Sequence, residues 1–203
     1  MAATFLLSLT LAGHWRAFDE WMVRAFRTAG DLATPVGSRA VQIAVRDATA
    51  LGGTMPLIVL IAVVAIYLLL KQHTRTAIAV VASTLLGVIA SQILKAVIDR
   101  GRPDIVPQLV PEVSGSFPSG HAMMSAIVYL TLGTMLARLE PEKTVRRFIL
   151  GVAMALTVTI GLSRVYIGVH WPSDVLGGWA LGALWVLAVS HILDWAVKRT
   201  GGA

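Results

Sequence analysis

The chain contains no cysteine, which excludes disulfides, thiolate nucleophiles and thiolate metal sites and leaves the redox compartment unassigned. It is also poor in charge: Asp, Glu, Lys and Arg make up 14% of 203 residues, against 56% hydrophobic ones. A soluble globular domain carries about 25% charged residues, so this composition, with a mean hydropathy of +0.75, points to a membrane protein instead. No basic run is interleaved with aromatics, so the formal charge of +6 does not signal nucleic acid. It is read as membrane topology plus an anionic substrate. No linker or low-complexity tract divides the chain, and one domain over residues 1–203 is expected, with an N-terminal segment (1–53) ahead of a catalytic helix bundle (54–198).

What the chain does have is a series of apolar segments. A helix needs about 20 apolar residues to cross the hydrocarbon core, and five segments answer that need: Thr54–Leu70, Thr76–Ile98, His121–Ala137, Phe148–Leu162 and Val175–Val197. The expected fold is all-α, a polytopic membrane helix bundle. Residues 1–13 form an apolar run too short to span and without the basic start of a signal peptide, read as a half-inserted or truncated helix. In the following HWRAFDEWMVRAF, residues Phe18, Trp21, Met22, Ala25 and Phe26 share one helical face against Arg16, Asp19, Glu20, Arg24 and Arg27, the pattern of an amphipathic helix lying in the membrane interface.

The connectors KQHTR (Lys71–Arg75) and RLEPEKTVRR (Arg138–Arg147), with Lys198 and Arg199, fall on one side and carry eight basic residues. The positive-inside rule makes that side cytoplasmic, and the expected location is multi-pass in the cell (inner) membrane. Of the nine basic residues on the other side, five are diluted by four acids between Gly13 and Gly53, and Lys95, Arg100, Arg102 and Arg164 sit at helix ends. Cations there, against the topological bias, ask for a functional reason.

Three stretches meet on that outer side: KAVIDRGRP (Lys95–Pro103), PSGH (Pro118–His121) and SRVYIGVHWPSD (Ser163–Asp174). They bring together Lys95, Arg102, Arg164, His121, His170, Asp174 and the hydroxyls of Ser119 and Ser163. Phosphoryl transfer is catalysed mainly by positioning and by neutralising charge on three equatorial oxygens, which suits three cations. Arg102 offers a planar fork and Lys95 a point charge. They are seven residues apart, two helical turns if the helix persists, although Gly101 and Pro103 suggest a turn. Ser119 is a good N-cap, and Gly120 lets backbone N–H groups and the positive helix end approach an anion. His121, in that first turn, is placed to give a proton to a leaving group. Pro172 opens the last helix and sets Asp174 in its first turn, able to orient His170 as nucleophile. The reaction implied is a phosphohistidine mechanism without metal or other cofactor, since no carboxylate cluster is left over to hold magnesium. Asp99 and Arg100 are read as paired or solvent-facing.

With these residues in place, the chain resembles the type 2 phosphatidic acid phosphatase (PAP2) superfamily of integral membrane lipid phosphatases. The family pattern is Lys, six residues, Arg-Pro; then Pro-Ser-Gly-His; then Ser-Arg, five residues, His, three residues, Asp. Eleven positions match in order: Lys95, Arg102, Pro103, Pro118 to His121, Ser163, Arg164, His170 and Asp174. The resemblance implies His170 as nucleophile, Asp174 as its support, His121 as general acid, and Lys95, Arg102, Ser119, Gly120 and Arg164 as the phosphate cradle. It also implies metal-free chemistry and a site facing the extracytoplasmic side. Members commonly have six spans, one more than is counted here.

The expected activity is hydrolysis of a lipid phosphate or diphosphate that reaches the site sideways between helices. Undecaprenyl diphosphate is the first choice; phosphatidylglycerol phosphate, phosphatidic acid and diacylglycerol diphosphate are alternatives. Phosphoryl transfer to another acceptor, a vanadate haloperoxidase and a non-enzymatic lipid-binding protein are the competing classes. The prolines of the loop DIVPQLVPEVSGS (Asp104–Ser116) make it irregular and a candidate gate.

Overall fold

The structure, a computed structural model, describes residues 15–200, with side chains through residue 192. The apolar run at 1–13 and the side chains of Lys198 and Arg199 lie outside the described residues. The chain forms α1 (Arg16–Ala25), a hairpin of β1 (Arg27–Thr28) and β2 (Asp31–Pro35), then α2 (Arg39–Ala50), α3 (Thr54–Leu70), α4 (Thr74–Ile98), α5 (Gly120–Leu139), α6 (Lys143–Tyr166) and α7 (Pro172–Thr200). The fold is the expected all-α membrane bundle, to which the sequence reading did not add the hairpin. Gly30, at φ +82°, makes its turn between Thr28 and Asp31, a conformation glycine adopts without steric cost.

Among the described residues, four helices are long and apolar enough to cross a membrane: α4, α5, α6 and α7 through Ile192. At 17 residues, α3 rises about 26 Å at 1.5 Å per residue, short of the roughly 30 Å hydrocarbon core. It follows α2 across a 49° bend, and the two pass the same test together. The fourth expected span is longer than its apolar stretch, because the helix takes in Arg146 and Arg147 at one end and Ser163–Tyr166 at the other.

The pattern on α4 shows how the bundle delivers a cation. Its buried residues are Ala77, Val80, Ser83, Gly87, Ser91 and Lys95, a stripe at helical spacing made of small side chains until the last turn. Small residues let membrane helices approach closely, and the same face that packs carries Lys95 inward. The opposite face exposes Ile78, Leu85, Leu86, Ile89, Ile93 and Val97. So many contiguous exposed apolar side chains are the mark of a surface solvated by lipid.

The most buried span is α5, with half of its apolar window inside the bundle against 28% for α4. It packs on α7 through GWALG, where Gly178 and Gly182 are four residues apart. A Cβ at Gly178 would come within 2.8 Å of the Ser119 carbonyl oxygen, and one at Gly182 within 2.7 Å of the Met123 carbonyl oxygen. The two glycines therefore set how closely α7 approaches the start of α5.

The first helix corrects the amphipathic reading. Asp19, assigned by period to the polar face, is 1% exposed, while Trp21 is 65% exposed. Arg27, assigned to the same face, lies buried in β1 and donates to the carbonyl of Tyr166 at 2.8 Å. The helix turns Asp19 and Val23 into the protein and leaves Trp21 outward, because Asp19 has polar partners inside, Arg100 and Ser173.

Candidate active site

Lys95 and Arg102 come together through a turn and not along one helix. The helix stops at Ile98, Asp99 takes a left-handed conformation at φ 42°, and the chain doubles back. The segment from 112 to 115 then lies across both side chains: Lys95 Nζ donates to Ser114 Oγ at 3.3 Å and to the Gly115 carbonyl at 3.1 Å. Arg102 Nε donates to the Ser114 carbonyl at 2.9 Å, and its Nη1 donates to the Val169 carbonyl at 2.7 Å and lies 3.4 Å from His170 Nε2. Arg164, 2% exposed in the last turns of α6, donates from Nη1 to Thr49 Oγ1 at 3.3 Å. The three cations expected from sequence thus converge.

Asp174 is the polar hub. It stands at the third position of α7, where an acidic side chain can reach back to the N-cap N–H, and the Trp171 N–H donates to its Oδ2 at 2.8 Å. The same oxygen accepts from the Ser116 hydroxyl and faces His170 Nδ1 at 3.6 Å, an ion-pair separation longer than a hydrogen bond. Oδ1 accepts from Arg100 Nη1 at 2.5 Å. His170 is 1% exposed, with Nδ1 towards the acid and Nε2 towards Arg102. Burial pulls its pKa down to about 4; Asp174 works against that, and the Arg164 and Arg102 charges work with it. The ring is therefore neutral at neutral pH, with a lone pair available.

The start of α5 closes the other side. Ser119 occupies the N-cap position in extended conformation, but its hydroxyl makes no capping bond and is buried without a partner. Its backbone N–H donates instead to the Asp174 carbonyl at 3.0 Å, tying the beginnings of α5 and α7 together. A Cβ at Gly120 would lie 3.6 Å from Lys95 Cε, so the first-turn N–H groups, which have no intrahelical partners, sit beside that cation. Ser163 does not join the site, because its hydroxyl turns back to the Ile160 carbonyl at 2.6 Å. His121, His170, Lys95 and Gly120 line one cavity of about 400 Å³, which continues between α3 and α4 past Leu57, Ile58, Leu85 and Val88. From Lys95 to Leu85 is about 15 Å of helix at 1.5 Å per residue, so the cavity runs well into the apolar zone.

Sequence reasoning gave no role in the site to Asp19 or Glu112, and read Arg100 only as paired or solvent-facing; all three reach the site. Arg100 bridges two acids, with Nη2 2.8 Å from Asp19 Oδ2 and Nη1 on Asp174, and it lies over the Trp171 ring at 5.9 Å. Asp19 also accepts from the Ser173 N–H at 2.8 Å and the Ser173 hydroxyl at 2.6 Å. Glu112 accepts from Arg164 Nη2 at 2.6 Å and stands 3.6 Å from Arg102 Nη2. Burial would raise its pKa, but Arg164 and Arg102 outweigh that and hold it below the usual carboxylate range. One signal was available for Arg100, an additional arginine beside the Lys95–Arg102 pattern; nothing local marked Asp19 or Glu112.

The model of the PAP2 superfamily matches residues 76–198, a stretch that contains all eleven patterned positions. The chain belongs to the PAP2 superfamily. Asp19 and Thr49, which reach the PAP2 site from α1 and α2, lie outside the matched residues. Among similar proteins, phosphatidylglycerophosphatase B of Bacillus subtilis (strain 168) is 42% identical over 110 residues, covering 54% of this chain and 53% of the relative. The undecaprenyl-diphosphatase of Sulfolobus acidocaldarius is 34% identical over 135 residues, covering 64% of this chain and 61% of the relative. The chain thus spans little more than half the length of these curated relatives. Among solved structures, the transmembrane PAP2 type phosphatidylglycerolphosphate phosphatase from Bacillus subtilis superposes with a TM-score of 0.84 at 30% identity, covering 97% of this chain and 95% of that one. Aquifex aeolicus LpxE, at 23% identity and a TM-score of 0.65 over 86% of this chain and 95% of that one, shares the fold.

Proposed function

We propose that this chain hydrolyses a phosphomonoester or diphosphate carried by a membrane lipid, through a phosphohistidine at His170 and without a metal ion. The observation that carries the reading is one continuous cavity lined at one end by Lys95, Gly120, His121 and His170, with Arg102 and Arg164 held against its lining residues His170, Ser114 and Glu112, and at the other end an apolar passage between α3 and α4. A lipid entering sideways places its phosphate among Lys95, Arg102, Arg164 and the free N–H groups of Gly120 and His121, with its chain in the passage. His170 Nε2 attacks phosphorus and the bond from phosphorus to the lipid oxygen breaks. His121 gives that oxygen its proton, while Asp174 supports the imidazolium formed at His170. Water then attacks the phosphohistidine, His121 takes its proton, and inorganic phosphate leaves.

Phosphatidylglycerol phosphate is the substrate that the more similar relative and the superposing structure support by their names. Undecaprenyl diphosphate is supported by the 34% identical relative. The site end lies opposite the basic connectors at Lys71–Arg75 and Arg138–Arg147, so the positive-inside rule turns it to the extracytoplasmic face of the cell membrane. Phosphate release by the protein in detergent with excess chelator, on both lipids and on phosphatidic acid, tests the reading. Release is expected with chelator present, with a loss of about 10³-fold or more in His170→Ala. Undiminished release by that variant, or release abolished by chelator, removes the mechanism.

A further inference from the structure

Each of the three phosphate-site cations already has acceptors, and a single stretch of four residues supplies some to all of them. Glu112 accepts from Arg164 and faces Arg102, while Ser114 and Gly115 supply oxygens to Lys95 and Arg102. Glu112 also lines the cavity with His121 and His170. An arginine fork recognises carboxylate and phosphate by the same planar geometry, so the carboxylate stands where phosphate oxygens would bind. Arg164 is 2% exposed, and its contact with Glu112 at 2.6 Å is the shortest of the contacts its guanidinium makes among the described residues.

We propose that Glu112 is an intramolecular competitor for the phosphate-binding arginines, and that it lowers the site's affinity for every phosphate so that free phosphate, which has no chain to bury, does not occupy it. The inference rests on the reading of Lys95, Arg102 and Arg164 as the phosphate cradle. Any phosphate that binds must displace the carboxylate from Arg164 or share the arginines with a like charge. A lipid offsets that cost by burying its chain in the passage beside Leu85 and Val88, where removing apolar surface from water is favourable. Inorganic phosphate has no chain to bury. After hydrolysis the carboxylate returns at the high effective concentration of a tethered group and expels the product.

The test is inorganic phosphate binding to the full chain in detergent, by calorimetry, for wild type, Glu112→Gln and Glu112→Asp. The amide keeps the size and removes the charge; the shorter acid keeps the charge and shortens its reach. Phosphate is expected to bind Glu112→Gln about tenfold or more tightly than wild type, an interaction of about 1.4 kcal/mol, with Glu112→Asp between them. Phosphate should also raise the melting temperature of Glu112→Gln more than that of wild type. Equal or weaker binding in Glu112→Gln overturns the proposal and makes Glu112 a residue that positions the arginines. If Glu112→Gln cannot be recovered folded, Glu112→Asp decides alone, tighter binding supporting the proposal and equal or weaker binding overturning it. Binding requires no turnover, so tighter phosphate in a protein that hydrolyses no lipid would keep this inference and remove the proposed function.

Discussion

At the site end of the bundle, Asp19, Ser119, Arg164, His170 and Asp174 are each at most 2% exposed, whereas along the passage between α3 and α4 the residues Ile58, Leu85 and Val88 are 39 to 59% exposed. His170 of the first region and all three residues of the second line one cavity. The first is held by hydrogen bonds from six segments of the chain: α1, α2, the 99–119 loop, the start of α5, the end of α6 and the start of α7. The second is a pair of helix faces with branched apolar side chains, open to the acyl chains of the membrane. Removing one partner from a buried polar network leaves the other unsatisfied in a low-dielectric interior, so such a region tolerates little change. An apolar passage bounded by lipid tolerates a great deal. The contrast teaches that chemistry and lipid selection are separable here by mutation.

The sharpest way to break the polar end is at Arg100. Removing it leaves Asp19 and Asp174 facing each other's charge in the interior, and removing one partner of a buried ion pair costs about 3–5 kcal/mol. Arg100→Ala is expected to lose that much stability in detergent denaturation and most of its phosphate release. Arg100→Lys, which keeps the charge but not the fork, should recover part of both. An alanine variant as stable and active as wild type would mean that Asp174 is held by Ser116 and the Trp171 N–H alone.

Next in size is the close approach of α7 to α5. Gly178→Ala places a methyl 2.8 Å from the Ser119 carbonyl oxygen and 3.0 Å from Ala122 Cβ, and overpacking of this kind costs about 1–3 kcal/mol. Activity should fall with stability, because the displaced backbone is the start of the PSGH helix. Gly151→Ala on α6, with nothing within 4 Å of the new Cβ, is the control and should not destabilise. Equal behaviour of the two variants would show that the α5–α7 distance does not govern the site.

The passage is probed by filling it. Val88→Trp is expected to raise KM for the lipid about tenfold, since excluding two buried methylenes forfeits roughly 1.6 kcal/mol. Stability and the turnover of a short, water-soluble phosphate ester should change little. A parallel loss on both substrates would mean that the chain of the lipid does not lie between α3 and α4.

How far the molecule was legible in advance follows the same division. The spans, the PSGH helix start and the His170–Asp174 pair were readable because each is local: an apolar period, an N-terminal turn, four residues of spacing. The convergence of Lys95 with Arg102 was legible as composition but not as geometry, since it depends on a left-handed turn at Asp99 and on Ser114 and Gly115 crossing over both side chains. Asp19 and Glu112 were not legible. Each is a single acid with no local partner pattern, and its partner lies 81 residues away for Asp19 and 52 for Glu112. The helical period of α1 even assigned Asp19 to the wrong face, because period reports average polarity while the distant partners Arg100 and Ser173 override it.

The smallest expected effect is on pH dependence, and it bears directly on how dry the polar end is. Burial holds the His170 pKa at about 4 against an ordinary 6.5, so as pH falls the unfolded chain takes up this proton first. The contribution of neutral His170 to stability is therefore complete above about pH 6.5, declines as pH drops towards 4, and levels off below that. Between pH 7 and 5.5 the loss from this group alone is about 1 kcal/mol. It is read as the extra pH slope of wild type over His170→Gln, which cannot titrate at that position. Nitrogen NMR of labelled histidine should find the His170 ring neutral at pH 5.5. A ring that titrates near 6.5 would mean that water reaches it freely in the empty site. The polar end would then differ from the passage in its charges but not in its dryness, and rate control by a preorganised, water-poor pocket would lose its footing.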